Sequence, residues 1–262
     1  MSENLNLSEL LEAATEAAYQ AGKITLGYFQ SGRFDIETKP DDSPVTVADK
    51  NAEKFIRQFV EKRYPDHGIL GEEFGEKKGM SPYRWIIDPI DGTKSFIHGV
   101  PLYGTMIGLE DLRAKDAVAG VIYFPALNEL YTGAKGLGAW CNGKRMRVSE
   151  VSDLKDAVVL VTDMTHAGKH DNADGFDAIQ RGSRFVRTWG DCYGHMLVAA
   201  GRAEIMMDPR MHIWDVAALK PIIEEAGGKF FDWKGRNGLY IEDAISCNAF
   251  LEDEVLKLLD SR

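Results

Sequence analysis

Between Leu7 and Phe29, apolar and small residues recur at Leu10, Leu11, Ala14, Ala17, Ala18, Ala21 and Ile24, the spacing of one helical stripe. A second stripe runs from Val47 to Val60 through Ala48, Ala52, Phe55, Ile56 and Phe59. The polar segment between them, Thr38 to Ser43, holds Lys39, Asp41 and Asp42 and reads as a mobile loop or a short hairpin. From Gly68 the pattern changes to short apolar runs broken by turns: Ile69-Leu70, Arg84 to Ile87, Leu102 to Leu109 and Ala117 to Phe124. Asn142-Gly143 predicts a tight hairpin turn. The second half predicts strands at Ala157–Thr162, Phe185–Thr188, Glu204–Met207, Lys229–Asp232 and Ala244–Cys247. Helices are expected at Ala173–Gln180, Tyr193–Ala200, Trp214–Ala226 and Leu251–Leu259, the third with Pro221 as a kink point and Gly227-Gly228 as its stop.

Helices come in pairs between groups of strands. That favours layered α/β sheets with antiparallel content over one helix per strand. No repeat or low-complexity tract interrupts the chain, and a single domain is expected over residues 1–262, built of two tightly packed halves that divide near residue 150.

Composition narrows the function. Hydrophobic residues at 44% and charged residues at 27% are those of a globular protein, and the longest apolar runs are far too short for a membrane helix. The start, Met1-Ser-Glu-Asn, lacks a signal-peptide pattern, and three scattered cysteines form neither a disulfide framework nor a zinc pattern, so a cytoplasmic protein is expected. A formal charge of −10 argues against a nucleic-acid partner. An acidic protein that handled an anion would need local positive charge, and metal ions are the usual source.

The richest chemistry lies in Trp85-Ile-Ile-Asp-Pro-Ile-Asp-Gly-Thr93. A strand delivers Asp88 at its end, Pro89 stiffens a turn, Asp91 follows, and Gly92 leads to Thr93 as the cap of a helix beginning near Lys94. Free N–H groups at that helix start would bind a phosphate oxygen. Two carboxylates beside such a site would repel the phosphate unless a hard cation sat between them, and the Ile90 carbonyl is a further oxygen donor. Glu72 and Glu73 end one strand, while Asp49 and Asp215 begin helices, where a carboxylate is more often a cap than a ligand.

Taken together, these segments resemble the inositol monophosphatase superfamily: Pro44-Val-Thr-Val-Ala-Asp49, Gly71-Glu-Glu73, Asp88-Pro-Ile-Asp-Gly-Thr93, Trp214-Asp215 and Glu224-Glu-Ala-Gly-Gly228 occur in order over nearly the whole chain. The resemblance implies an α–β–α–β–α layered fold, Mg²⁺-dependent phosphatase activity with two or three ions per site, a small phosphate ester as substrate and a homodimer. It implies a first metal on Glu72, Asp88 and the Ile90 carbonyl, and a second on Asp88, Asp91 and Asp215. Asp49 and Thr93 would orient the attacking water, with Glu72 also catalytic, and the backbone of Gly92 and Thr93 would grip the phosphate.

Within the superfamily, Gly92-Thr-Lys-Ser-Phe-Ile-His-Gly-Val-Pro-Leu-Tyr-Gly104 and Arg187-Thr-Trp-Gly-Asp-Cys-Tyr-Gly194 resemble the histidinol-phosphatase branch; Ser95 and Asp191 depart from the inositol-type pattern. Asp191 and Asp208 occupy positions where the superfamily contacts the organic part of its substrate. Carboxylates there suit an ammonium or imidazole, with Trp189 or Tyr193 against the ring. Lys39 and Lys94 are candidates to neutralise phosphate. The six histidines are read as structural or surface residues, and no Gly-x-Ser-x-Gly element supports a serine nucleophile. The competing expectations are a broader inositol, sugar or nucleotide phosphatase and a non-catalytic metal-binding protein.

Overall fold

The computed structural model describes residues 6–32, 35–38 and 44–260. Lys39 and the rest of the polar segment at 39–43 lie outside them. In chain order the first half comprises α1 (Leu7–Tyr28), β1 (Ile36–Thr38), β2 (Pro44–Thr46), α2 (Val47–Arg63), β3 (Gly68–Gly71), β4 (Gly75–Lys77), β5 (Tyr83–Asp91), α3 (Thr93–Ile97), β6 (Gly104–Asp111), β7 (Asp116–Phe124), β8 (Glu129–Ala134), β9 (Gly138–Cys141) and β10 (Lys144–Arg145). β1 and β2 pair antiparallel on either side of the polar segment. The strands from β3 to β10 form one eight-stranded sheet, ordered β10-β9-β8-β7-β6-β5-β3-β4.

The second half comprises β11 (Val158–Val161), α4 (Met164–Ala167), α5 (Ala173–Gly182), β12 (Phe185–Arg187), α6 (Asp191–Ala199), β13 (Ile205–Asp208), α7 (Ile213–Glu225), β14 (Gly228–Phe231), β15 (Ala244–Asn248) and α8 (Glu252–Leu259). Its five strands form a sheet ordered β12-β11-β13-β15-β14.

Side chains alternate across each strand, and the alternation builds the layers. Trp85, Ile87, Ile107 and Val121 pack against the alanine stripe of α1 and against Ala52, Ile56 and Val60 of α2. The intervening Ile86, Met106, Ile122 and Phe124 face the other way, onto α6 and α7. Beyond the five-stranded sheet, Val159, Val161, Ile205 and Ile245 pack on Phe176 and Ile179 of α5 and Val255 and Leu259 of α8. The layers are therefore α–β–α–β–α, as the resemblance implied.

α7 lies unusually close to the large sheet. Gly108, Gly120 and Gly133 stand opposite one another on β6, β7 and β8 and form a row across three strands. A Cβ on Gly120 would sit 2.1 Å from the Ala218 carbonyl oxygen, and one on Gly108 would sit 2.5 Å from the Ala217 Cβ. This glycine row lets α7, which runs on through Pro221, bed against the sheet and brings its N-terminus to the end of β5.

Candidate active site

Asp88 and Asp91 are three residues apart, so in a regular strand they would point to opposite faces of the sheet. They do not. Asp88 pairs with Met106 and Asp91 with Gly104, leaving one extra residue on β5. The bulge turns both carboxylates to one side. Pro89, which has no N–H to lose, falls within it, and Thr105 Oγ1 donates to the Pro89 carbonyl at 2.9 Å. Asp88 is buried and accepts the Ile90 N–H at 3.0 Å.

Gly92 is left-handed, with φ 80°, and is itself the N-cap of the five-residue α3. Thr93 is thus the first helical residue, not the cap. Its hydroxyl donates to the Ile90 carbonyl at 3.0 Å, occupying one of the two acceptor positions of that expected ligand.

Asp215 comes from the first turn of α7, where it accepts the His212 N–H at 2.7 Å. Carboxylate oxygens of Asp88, Asp91 and Asp215 all lie within 4.8 Å of one another, and no other such group of three occurs among the described residues. Asp49 accepts both the Thr46 amide at 2.8 Å and the Thr46 hydroxyl at 2.6 Å. The capping reading therefore holds for Asp49 and Asp215 alike, and for Asp215 it coexists with membership of the cluster. Asp49 and Thr93, expected as a water-orienting pair, bond to Thr46 and Ile90 respectively and not to each other.

Glu72 follows β3, which is parallel to β5, so both strands end on the same side of the sheet. The Glu72 amide donates to the Ile87 carbonyl at 3.2 Å. A residue missed in the sequence holds this turn: the buried Glu53 carboxylate accepts the amides of Glu73 at 2.7 Å and Phe74 at 3.2 Å, and Arg57 Nε at 2.7 Å.

The electrostatics fit a divalent cation. Burial pushes the Asp88 carboxyl well above its ordinary range, and the charges of Glu72, Asp91 and Asp215 push it further. Asp215 is raised in the same way, first by burial and then by Asp91. Ionised together, these groups would repel one another at close range unless a cation compensated them, and oxygen-only donors select a hard ion.

Beside the cluster opens a cleft of about 510 Å³, whose lining includes Gly92, Lys94, Thr162, His166, Asp191 and Asp208. Asp191 begins α6 in the left-handed region, φ 53°. Its Oδ2 lies 3.1 Å from where a Cβ on Gly92 would be. Asp91 in turn accepts the Cys192 amide at 2.6 Å. Asp208, at the end of β13, is buried and accepts from the Thr162 hydroxyl at 2.7 Å.

Of the two proposed ring partners, Tyr193 meets Phe124 edge-on in the core, while Trp189 is 43% exposed next to the cleft-lining Thr188 and Gly190. Five histidines do not line the cleft, but His166 does, its Nδ1 2.8 Å from Asp163. Arg210 also lines it. Neither is among the expected site residues, although Arg210 lies between Asp208 and Asp215.

Burial raises Asp49 to about 6 and Asp208 to about 7, from an ordinary value of 3.8. A carboxyl raised in the folded state contributes stability below its unfolded pKa and loses it as pH rises through the folded value. In EDTA the melting temperature should therefore fall between roughly pH 4 and pH 7, and divalent cation should flatten that slope. Thermal unfolding across this range tests the account; a melting temperature that climbs toward pH 7 in EDTA would contradict it.

A sequence profile of the inositol monophosphatase family matches residues 6–261. The chain belongs to that family. It is 49% identical over 239 residues to a histidinol-phosphatase of Chlorobaculum parvum, covering 91% of this chain and 92% of that protein. A histidinol-phosphatase of Streptomyces coelicolor is 36% identical, with 99% and 98% covered. Among solved structures, the extragenic suppressor protein suhB of Bartonella henselae superposes with a TM-score of 0.89 at 31% identity, covering 97% of this chain and 99% of that one. As a member of the inositol monophosphatase family the protein is a phosphomonoesterase. No helix among the described residues is long and apolar enough to cross a membrane.

Proposed function

We propose that the protein hydrolyses histidinol phosphate to histidinol and inorganic phosphate with Mg²⁺ as its cofactor. The observation that carries the substrate is the pair Asp191 and Asp208, two acidic residues lining one cleft beside the carboxylate cluster, with Thr162 bonded to the Asp208 carboxylate and the Asp191 amide. The hydroxyls of a polyol ester could donate to such a pair but would bring no positive charge to it. A substrate carrying an ammonium and an imidazole would supply the charge that compensates it, by charge-assisted hydrogen bonds. The histidinol-phosphatases among the relatives support the same reading.

Glu72, Asp88, Asp91, Asp215 and the Ile90 carbonyl would hold Mg²⁺. Bound there, Mg²⁺ would neutralise the phosphate and lower the pKa of water. The amides of Gly92 and Thr93 would orient the phosphate. Asp49 uses Oδ2 for both bonds to Thr46, and its carboxyl, raised to about 6 by burial, is suited to take a proton from the attacking water near neutrality. Lys94 would lend positive charge at the mouth of the cleft.

Asp191→Asn keeps the shape and removes the charge. It should raise KM for histidinol phosphate by about ten- to a hundredfold, the weight of one charge-assisted bond, and lower kcat much less. Steady-state kinetics on histidinol phosphate reads this directly, and an unchanged KM would remove Asp191 from the binding site.

A further inference from the structure

One side chain organises the substrate end of the cleft without having been marked by the sequence. β11 and β13 are parallel neighbours with Val161 opposite Met207. The next residues, Thr162 and Asp208, therefore leave the two strand ends side by side, and both line the cleft. Thr162 Oγ1 donates to Asp208 Oδ2 at 2.7 Å and accepts the Asp191 N–H at 2.9 Å. A hydroxyl has one hydrogen; with Asp208 receiving it, the lone pairs are left for the amide, and both bonds have a fixed polarity.

The amide it holds belongs to a residue in an unfavourable conformation. Asp191 is left-handed at φ 53°, which costs energy for a residue with a side chain unless its surroundings fix it. The preceding Gly190 presses directly on Thr162: a Cβ there would lie 2.5 Å from the Thr162 Cα. Thr162 therefore sets the start of α6 as well as the carboxylate of Asp208.

We propose that Thr162 is the positioning residue for recognition of a cationic organic group, fixing Asp191 and Asp208 at the separation and orientation that an ammonium- or imidazole-bearing phosphate ester requires. This rests on the histidinol phosphate reading above. Thr162→Val preserves the shape of the side chain and removes both bonds, leaving the Asp191 amide and one Asp208 oxygen without their partner.

The test is steady-state kinetics on the full chain with Mg²⁺, using histidinol phosphate and inositol 1-phosphate on wild type, Thr162→Val and Thr162→Ser. Thr162→Val should raise KM for histidinol phosphate about tenfold or more while kcat changes less, and should erode the preference over inositol 1-phosphate by a similar factor. Thr162→Ser keeps the hydroxyl and should restore the preference. Where Thr162→Val does not fold, Thr162→Ala is read by the same ratio. A preference retained without the hydroxyl, or lost equally in the serine variant, would overturn the role of Thr162. A wild type with no preference would instead overturn the substrate reading, and this inference with it.

Discussion

Asp88→Asn should abolish turnover, lowering kcat at least about a thousandfold, because it strips the charge from the most buried carboxylate of the cluster proposed to hold Mg²⁺. Asp88 is the most buried of the three clustered aspartates, and its carboxyl feels Glu72, Asp91 and Asp215 at once. An amide offers a single neutral oxygen in the same space and is a far weaker donor to a hard cation. The fold should survive. Without metal, the substitution relieves like-charge repulsion at the end of β5, so the variant should melt no lower than wild type in EDTA. In Mg²⁺ the order should reverse, since only wild type gains the full stabilisation of bound cation. Phosphate release together with thermal unfolding, each with and without Mg²⁺, separates a lost site from a lost fold. Substantial activity in Asp88→Asn would mean that the proposed role of Asp88 in holding Mg²⁺ is misplaced.

The second large effect should come from a residue that touches neither substrate nor cation. Glu53→Ala should cost about 3 kcal/mol of stability, because it removes the buried partner of an ion pair and leaves Arg57 Nε and two amides without their acceptor. The side chain is fully buried, accepts Glu73 N–H, Phe74 N–H and Arg57 Nε, and fills the space that Gly71 leaves empty. A Cβ on Gly71 would fall 2.0 Å from Glu53 Oε1. Since this carboxylate pins the turn that bears Glu72, the variant that remains folded should also need more Mg²⁺ for half-maximal activity. Denaturant unfolding and a Mg²⁺ titration of the rate measure the two effects. Glu53→Gln, which still accepts the amides, should recover part of each. A normal Mg²⁺ requirement in Glu53→Ala would confine Glu53 to stability.

Glu53 also shows where sequence reading stops. On the α2 stripe it appears as one more charged residue of a solvated face, and only the packing of α2 against Gly71 and the turn between β3 and β4 reveals that it is buried. The segment from Asp88 to Thr93 was legible because its chemistry is local: a strand, a proline, a glycine and two carboxylates declare a turn loaded with acid. The bulge that brings Asp88 and Asp91 to one side was not legible, because it exists only in the register with β6. The layer order followed from paired helices and a family resemblance. The glycine row beneath α7 did not, since Gly108, Gly120 and Gly133 become neighbours only through pairing across three strands.

Thr162 appeared as the last residue of an apolar strand, and nothing in the spacing ties it to Asp191 and Asp208. The Asn142-Gly143 hairpin, by contrast, was fully local: both residues adopt positive φ, 47° and 74°, as a two-residue turn requires. Asp49 and Asp215 show that a capping signal and a candidate functional role can share one side chain, because a first-turn carboxylate needs only one oxygen for the cap.

Phosphate release from histidinol phosphate, inositol 1-phosphate and an adenosine bisphosphate, measured side by side in Mg²⁺ and in EDTA, tests both the metal dependence and the substrate. Hydrolysis that EDTA abolishes and Mg²⁺ restores is expected, with kcat/KM highest for histidinol phosphate. Rates spread evenly over the three esters, or highest for inositol 1-phosphate, would contradict the assignment of substrate. Undiminished hydrolysis in EDTA would contradict the carboxylate cluster as the seat of catalysis.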